Sequence, residues 1–306
     1  MRTRRLGENG PDVSVVGLGC NNFGRRLDPE GTRLVVDAAL EAGVTLFDTA
    51  DIYGDGDSEA FLGQALGARR DRIVLATKFG MEMPDGLELP RGSREYIRWA
   101  VEGSLRRLRT DRIDLYQYHR PDGVTPFEET LGALNELVEE GKVTHIGSSN
   151  FEPEQVEEAE RIASSCGWAR FVSAQNRYSL VGREPEDELL PACERLGIGF
   201  LPFFPLESGL LTGKYRRGEK PPDGTRLAGR PDALTDDAFD RVEALERFGD
   251  ERGVSLLEVA IGGLAAMPAV ASVIAGATKP EQVRANVTAG AWEPSEDDLA
   301  ALRELR

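Results

Sequence analysis

The chain has 306 residues, 40% of them hydrophobic, a length that one large domain accommodates. Its formal charge of −16, from 37 basic and 53 acidic residues, opposes attraction to nucleic acid or anionic lipid, so we expect neither as a partner. No apolar run approaches the ~18 residues of a membrane span, and no apolar segment follows the basic N-terminus as in a secretory signal. The three cysteines lack the paired spacing of a zinc site. We therefore expect a cytoplasmic protein without a metal site.

Short β-rich runs alternate with longer amphipathic runs along the chain. The predicted strands cover residues 13–19, 45–49, 72–78, 113–119, 143–149, 171–176, 198–204 and 271–276. The helix that follows each strand is predicted at residues 32–42, 58–67, 94–109, 126–140, 153–165, 187–196, 254–266 and 281–289. Eight successive βα units favour a closed (β/α)8 TIM barrel of the α/β class over an open sheet.

Three segments lie outside the repeat. Asn9 and Gly10 separate two short extended stretches, which predicts a β-hairpin over the N-terminal end of the barrel. Residues 205–250 contain a Gly/Pro-rich loop and an extra helix from residue 236, and the tail from residue 295 predicts a final C-terminal helix. No composition shift marks a boundary, so we expect residues 1–306 to form a single domain.

Polar residues collect where the predicted strands end. Asp48 ends the second strand, Tyr53 follows it closely, Lys78 ends the third and His119 ends the fourth. Each has an ordinary structural explanation when taken alone, such as a turn cap, a half-buried aromatic or a surface lysine. A barrel, however, brings the carboxyl ends of these strands side by side and builds its active site there. We therefore expect the four side chains to form one cluster.

This combination of side chains suits proton transfer to a carbonyl oxygen. An unperturbed tyrosine titrates near ~10, too high for easy proton donation and recapture at neutral pH. A neighbouring ammonium, held by a carboxylate, is expected to lower the tyrosine pKa, and a histidine can orient the carbonyl or take part in proton transfer.

Seven motifs then resemble the aldo-keto reductases in order along the chain, near the branch that includes potassium-channel β-subunits. They are FDTADIYG, ATKFG, DRIDLYQYHRPD, GKVTHIGSSN, AQNRYSL, PLESGLLTGKY and VIAGATKPEQVRAN. The resemblance implies reduction of a small aldehyde or ketone with a nicotinamide cofactor. It also implies that Asp48, Tyr53, Lys78 and His119 are the catalytic tetrad, with Tyr53 as the general acid and His119 positioning the carbonyl.

The resemblance also implies a set of cofactor contacts. Ser148, Asn150 and Gln175 would hold the nicotinamide amide, and Phe203 would stack on its ring. Lys279, near the start of the last barrel helix, favours the 2′-phosphate of NADPH over NADH, although Gln282 stands where some members have arginine. The full set is Asn22, Ser148, Asn150, Gln175, Phe203, Pro205, Leu206, Ser208, Lys214, Gly276, Thr278, Lys279, Gln282 and Asn286.

Two other functions fit the same residues. One is an NAD-dependent sugar or polyol dehydrogenase, and the other is a cofactor-sensing regulatory subunit, since relatives of this barrel serve ion channels. The substrate, the physiological direction and the oligomeric state stay open. Candidate pocket residues are Asn22, Ile52, Phe79, Met81, Arg120 and Tyr178. The Gly- and Pro-rich residues 216–230 are expected to be mobile without cofactor, with residues 206–215 closing over the pyrophosphate.

Overall fold

The computed structural model describes residues 1–84 and 86–305. It begins with a hairpin of two antiparallel strands, β1 (Thr3–Arg5) and β2 (Asp12–Ser14), in which Thr3 pairs with Ser14. The predicted hairpin is thereby confirmed. The predicted strand over residues 13–19 is wrong at its start, because Ser14 pairs within the hairpin and the barrel strand begins only at Val16.

Eight parallel strands form the barrel. They are β3 (Val16–Gly19), β4 (Leu46–Asp48), β5 (Val74–Phe79), β6 (Ile113–Tyr118), β7 (Val143–Ser149), β8 (Phe171–Gln175), β9 (Gly199–Phe200) and β10 (Val273–Gly276). Their order in the sheet is β10, β3, β4, β5, β6, β7, β8, β9. The two edges meet through backbone hydrogen bonds, in which Ala271 donates to Phe200 over 2.9 Å and Ile274 donates to Pro202 over 3.1 Å. The sheet thus closes into the predicted (β/α)8 barrel.

The barrel interior is filled at its lower end by apolar side chains. Leu6 and Val13 of the hairpin are fully buried there and pack against inward-facing strand residues. The hairpin therefore closes the N-terminal end of the barrel. The other buried members of this cluster, in the strands or directly beside them, are Leu46, Ala76, Leu115, Val172, Leu201, Ala271 and Ile274. Because this end is packed, the opposite end, where the strands terminate, is left for a cavity.

Ten helices of the described chain surround the barrel. They are α1 (Pro29–Glu41), α2 (Asp57–Leu66), α3 (Arg94–Leu108), α4 (Phe127–Glu139), α5 (Pro153–Cys166), α6 (Leu189–Leu196), α7 (Asp236–Asp250), α8 (Leu256–Ala265), α9 (Pro280–Ala289) and α10 (Glu296–Glu304). Hydroxyl caps fix several starts, as Ser93 does for α3 and Thr235 for α7. The helices α7 and α10 are the two predicted additions. Among the helices described, none combines the length and the apolar character needed to cross a membrane.

The segment between β9 and α7 runs over the open end of the barrel. We call residues 216–230 the strap. Arg217 of the strap forms ion pairs with Asp236, Asp240 and Glu243 on α7, and Arg216 pairs with Glu246. These pairs are solvent-exposed and individually weak, so they guide the path of the strap without locking it.

Candidate active site

A cavity of about 550 Å³ opens at the carboxyl ends of the strands. It is lined by most of the residues that the sequence singled out. From the predicted tetrad these are Asp48, Tyr53 and His119, and from the predicted cofactor set they are Asn22, Asn150, Gln175, Phe203, Pro205, Leu206, Ser208, Lys214, Gly276, Thr278, Gln282 and Asn286. Lys78 lies beneath the lining, whereas Ser148 and Lys279 lie outside it. Of the other candidate pocket residues, Arg120 lines the cavity, but Ile52, Phe79, Met81 and Tyr178 do not.

Lys78 and Asp48 form a buried ion pair on the floor of the cavity. The Lys78 ammonium donates to Asp48 Oδ2 over 2.7 Å and to the Thr49 carbonyl over 2.9 Å. The Tyr53 phenol is the third polar group beside the ammonium. Burial alone would lower the Lys78 pKa, but Asp48 and Tyr53 raise it on balance. The lysine is therefore held as a cation at neutral pH.

Two glutamines hold the other carboxylate oxygen of Asp48. Gln175 donates to Oδ1 over 2.9 Å and Gln117 donates over 3.2 Å. Sequence reasoning placed Gln175 on the nicotinamide and did not single out Gln117. The available signal was strand periodicity: Gln117 follows the interior residue Leu115 by two positions, so a polar side chain faces the barrel interior. Together the glutamines fix the carboxylate that positions Lys78.

Tyr53 places its phenol over this pair. Its ring centroid is 5.2 Å from the Lys78 ammonium nitrogen, and the charge of Lys78 acts on the phenol. Burial raises the pKa of Tyr53, and Lys78 offsets only part of that rise. The predicted lowering of the Tyr53 pKa is therefore wrong: the pKa is raised, because the cost of burying the phenolate outweighs the effect of the Lys78 charge. The phenol keeps its proton at neutral pH.

His119 faces Tyr53 edge-on. The two ring centroids are 5.9 Å apart and the ring planes lie at 83°. Burial, together with the charges of Lys78 and Arg120, lowers the pKa of His119 to about 3. The imidazole is therefore neutral at neutral pH. Its Nδ1 atom is buried and has no hydrogen-bond partner among the residues described.

Asn150 and Ser149 form the edge of the cavity after β7. Asn150 has φ of 56°, a left-handed conformation that asparagine tolerates, and its amide donates to the His119 carbonyl and to Ser149 Oγ. Ser148 points the other way, toward the Ser173 carbonyl, because successive side chains on a strand face opposite sides. Ser149, rather than Ser148, is the serine that reaches the cavity.

The opposite end of the cavity lies against the N-terminus of α9. The Gln282 side chain turns back and accepts hydrogen bonds from the Thr278 backbone and hydroxyl. Asn22 donates to the Ala277 carbonyl over 3.1 Å, which joins the loop after β3 to the loop after β10. Lys279 precedes the first turn of α9, where its side chain is exposed and does not line the cavity.

Three arginines at this end were not found by sequence reasoning. Arg226 of the strap donates to Asn22 Oδ1 over 2.7 Å and to Asn21 Oδ1 over 3.2 Å, and Arg26 donates to the strap carbonyl of Gly224. Arg25 also lines the cavity. A contact between residues 204 positions apart leaves no local pattern in a single sequence, so Arg226 could not have been predicted.

Because Gly209 has no side chain, the Lys214 ammonium can approach the wall of the cavity. Its φ is +93°, and a Cβ added there would lie 2.4 Å from the Lys214 Nζ. Any larger residue would be strained and would displace the ammonium. The GLLTGKY motif thereby brings Lys214 against the cavity.

The profile of the Aldo/keto reductase family matches residues 15–306. The chain belongs to the aldo/keto reductase family. It is 37% identical over 303 residues to a probable voltage-gated potassium channel subunit beta of Oryza sativa subsp. japonica, covering 94% of this chain and 91% of that protein. It is 38% identical over 314 residues to an uncharacterized oxidoreductase of Bacillus subtilis (strain 168), covering 98% and 94%. A probable aldo-keto reductase 1 of Glycine max is 34% identical over 312 residues, covering 98% and 87%.

The predicted family is therefore confirmed. As an aldo/keto reductase the protein is an NAD(P)H-dependent oxidoreductase, and small carbonyl compounds are the general substrates of its family. The cavity fits a dinucleotide on its own features. It is lined by basic side chains and approached by the N-terminus of α9, both of which favour phosphate groups.

Proposed function

We propose that this aldo-keto reductase reduces an aldehyde or ketone with NADPH and that Tyr53 donates the proton to the carbonyl oxygen. The observation that carries the proposal is the Lys78 ammonium, which is hydrogen-bonded to buried Asp48 and lies beside the Tyr53 phenol. Such a costly buried charge is retained most readily where it acts on a reacting group. We also infer that residues 1–306 work as one domain, since the strap reaches back to Asn22.

The proposed reaction needs the phenol to lose and regain a proton. Tyr53 is protonated at neutral pH, as a donor must be. When the proton passes to the carbonyl oxygen, the Lys78 ammonium stabilises the phenolate left behind. Asp48 is held by Gln117 and Gln175, so Lys78 does not need to reorganise during this step.

Neutral His119 complements Tyr53 on the carbonyl oxygen. A neutral imidazole carries one proton, and a buried acceptor without a partner is tolerated better than a buried donor. Because Nδ1 is the buried, unpartnered atom, we infer that Nε2 carries the proton. This tautomer allows Nε2 to donate to the carbonyl oxygen and fix its position beside the phenol.

The cofactor would lie along the cavity between Phe203 and α9. A reduced nicotinamide, when bound, supplies the hydride that the carbonyl carbon accepts. We assign Ser149, Asn150 and Gln175 to its amide, replacing Ser148 because that side chain faces Ser173. Phe203 would stack on the ring. The remaining proposed contacts run along the phosphates and the adenosine: Asn22, Pro205, Leu206, Ser208, Lys214, Gly276, Thr278, Lys279, Gln282 and Asn286.

NADPH is preferred over NADH in this proposal because of the cations at the adenosine end. Arg226 and Arg26 line the cavity there, and exposed Lys279 stands at the start of α9. A 2′-phosphate adds charge that guanidinium and ammonium groups bind in preference to a bare hydroxyl. We expect NADH to bind, but less tightly.

The decisive experiment compares wild-type protein with Tyr53→Phe in a screen of aldehydes, ketones and ketosugars, following NADPH oxidation with NADH in parallel. Losing only the proton donor is expected to lower kcat by at least about 10²-fold while the dissociation constant of NADPH stays nearly the same. Tyr178→Phe is the matched control, because that phenol donates to Glu186 away from the cavity. A Tyr53→Phe variant within a few-fold of wild type would refute the role of Tyr53.

A regulatory role is the second candidate, and similarity to a probable potassium channel subunit beta favours it. It would give tight NADPH binding without turnover of any carbonyl in the screen. An NAD-dependent sugar or polyol dehydrogenase would instead oxidise polyols faster with NAD than with NADP. The same screen, run in both directions, separates the three functions.

A further inference from the structure

The charge of the cavity opposes that of the protein. The chain carries a formal charge of −16, yet the described residues that line the cavity include one carboxylate and five basic side chains. The carboxylate is Asp48, whose charge Lys78 already balances. The basic side chains are Arg25, Arg26, Arg120, Lys214 and Arg226. The cavity is thus a positive site in an acidic protein, which focuses anionic ligands.

These cations do not all lie at one end. Lys214, Arg226 and Arg26 belong to the strap and to the loops beside it, where the proposed function puts the cofactor phosphates. Arg120 lies at the other end, directly after His119, and its charge acts on that imidazole. Cofactor phosphates therefore do not account for Arg120.

Hydrogen bonds anchor the loop that follows Arg120, and the Arg120 carbonyl lies near Gly80. Two residues further on, the Asp122 backbone donates to the Tyr118 hydroxyl, and the Asp122 carboxylate accepts from Gly92 and Thr125. Asp122, the acid closest to Arg120 in sequence, is thus already engaged by Thr125 of its own loop and by the backbone of Gly92.

The guanidinium of Arg120 is exposed and makes no hydrogen bond or ion pair with any of the residues described. Arg161 on α5 is also exposed without such a partner, so lack of a partner alone carries no function. What distinguishes Arg120 is its place on the cavity wall beside Tyr53 and His119. A guanidinium fork there matches the two oxygens of a carboxylate or a phosphate.

We propose that the carbonyl substrate of this enzyme carries an anionic group and that Arg120 binds it. The inference rests on the proposed carbonyl reduction and narrows its substrate class to aldehydes or ketones bearing a carboxylate or a phosphate. Arg120 acts on binding and orientation, while Tyr53 and His119 contact the reacting oxygen. Removal of Arg120 should therefore raise KM for anionic substrates more than it lowers kcat.

The test uses three aldehydes of similar shape: 4-formylbenzoate, its neutral methyl ester and 4-formylphenyl phosphate. In wild-type protein we expect kcat/KM for at least one anion to exceed that for the ester about tenfold, with the excess falling as salt is raised. Arg120→Gln should reduce this ratio about tenfold, mainly through KM, and Arg120→Lys should restore part of it. Arg161→Gln, the matched control, should leave the ratio unchanged. The two anions distinguish carboxylate from phosphate as the preferred group.

A ratio near one in wild-type protein, or one that Arg120→Gln does not change, overturns the inference. Turnover of the ester in the same experiment would leave the proposed function standing. If no aldehyde is reduced, binding decides: terephthalate, an unreactive dicarboxylate, is titrated calorimetrically into wild-type and Arg120→Gln protein with NADP+. An affinity loss of about tenfold supports the assignment, and equal affinities overturn it.

Discussion

Replacing Asp48 by asparagine tests the buried pair beneath the cavity. The substitution removes the negative partner of Lys78 and points an amide N–H toward one of the donors that now surround the carboxylate. Removing one member of a buried ion pair typically costs about 3–5 kcal/mol of unfolding free energy. With the side chains of both residues almost completely buried, we expect the loss at neutral pH to fall in that range.

The pH dependence of this loss identifies its cause. In wild-type protein the pKa of Lys78 is raised, so its stabilisation is complete below the unfolded value of about 10.4 and is lost only as pH rises through the raised folded value. In Asp48→Asn the unpaired ammonium should have a lowered pKa. The unfolded state then binds more protons, and the stability of the variant should rise by about 1.4 kcal/mol per pH unit between the two pKa values.

The assay is urea unfolding of both proteins at pH 7 and at about pH 10. The double variant with Lys78→Met removes the stranded charge and should recover at least about 1 kcal/mol relative to Asp48→Asn alone. A deficit below about 1 kcal/mol at neutral pH, or one equal at both pH values, would refute the argument that Asp48 compensates a buried cation.

Other predictions concern the imidazole, the adenosine end and the strap. The chain has two histidines, so the His145→Gln variant leaves His119 as the only histidine in an NMR titration. The imidazole of His119 should titrate with a pKa of about 3. Titration at the ordinary pKa of histidine would contradict the argument that burial lowers it. Since the folded pKa is lowered, the stability linked to His119 should be complete above about pH 6.5 and fall as pH drops toward the folded value. In fluorescence titrations, Arg226→Gln should weaken NADPH binding about tenfold. Lys279→Ala should weaken NADPH binding more than NADH binding. Equal losses for the two cofactors would contradict a contact between Lys279 and the 2′-phosphate. Hydrogen exchange should be fast in residues 216–230 of the free protein, with residues 206–215 slowed by NADP+, and full protection of both segments without cofactor would contradict closure.

The architecture could be predicted because its signals are local. The strand and helix periods place most barrel elements to within a few residues. The Ser93 cap and the Asn9-Gly10 turn mark where elements begin and end. The exceptions are the first and seventh strands. The seventh, predicted at residues 198–204, is wrong in length, because only Gly199–Phe200 pair as a strand. The first is wrong at its start. Residues 13–19 form one uninterrupted β-rich run, and only the pairing of Ser14 with Thr3 assigns its beginning to the hairpin. Strand pairing depends on residues distant in sequence, so residues 13–19 alone do not show where the hairpin strand ends and the barrel strand begins.

The floor of the cavity was foreseeable in position but not in every contact. Asp48, Lys78 and His119 lie at the carboxyl ends of neighbouring strands, which is enough to bring them together. The choice between Ser148 and Ser149 depends on which side chains face inward in the second half of β7. That is set by the pairing with β8, whose register shifts between Ile146 and Gly147. The net rise in the Tyr53 pKa depends on how deeply the ring is buried, which no pattern of residue types reports.

The order of strands around the barrel places the proton-transfer residues and the nucleotide-binding residues in different parts of the chain. Under the proposed assignments, the proton machinery comes from the adjacent strands β4, β5 and β6, whereas most of the nucleotide contacts follow β7 to β10. Each of these two groups of consecutive strands contacts the rest of the barrel only at its two edge strands. A substitution that retunes nucleotide choice can therefore arise without touching the acid that serves the substrate. The fold thereby gives evolution, or a designer exchanging half-barrels between relatives, two properties that can be varied separately.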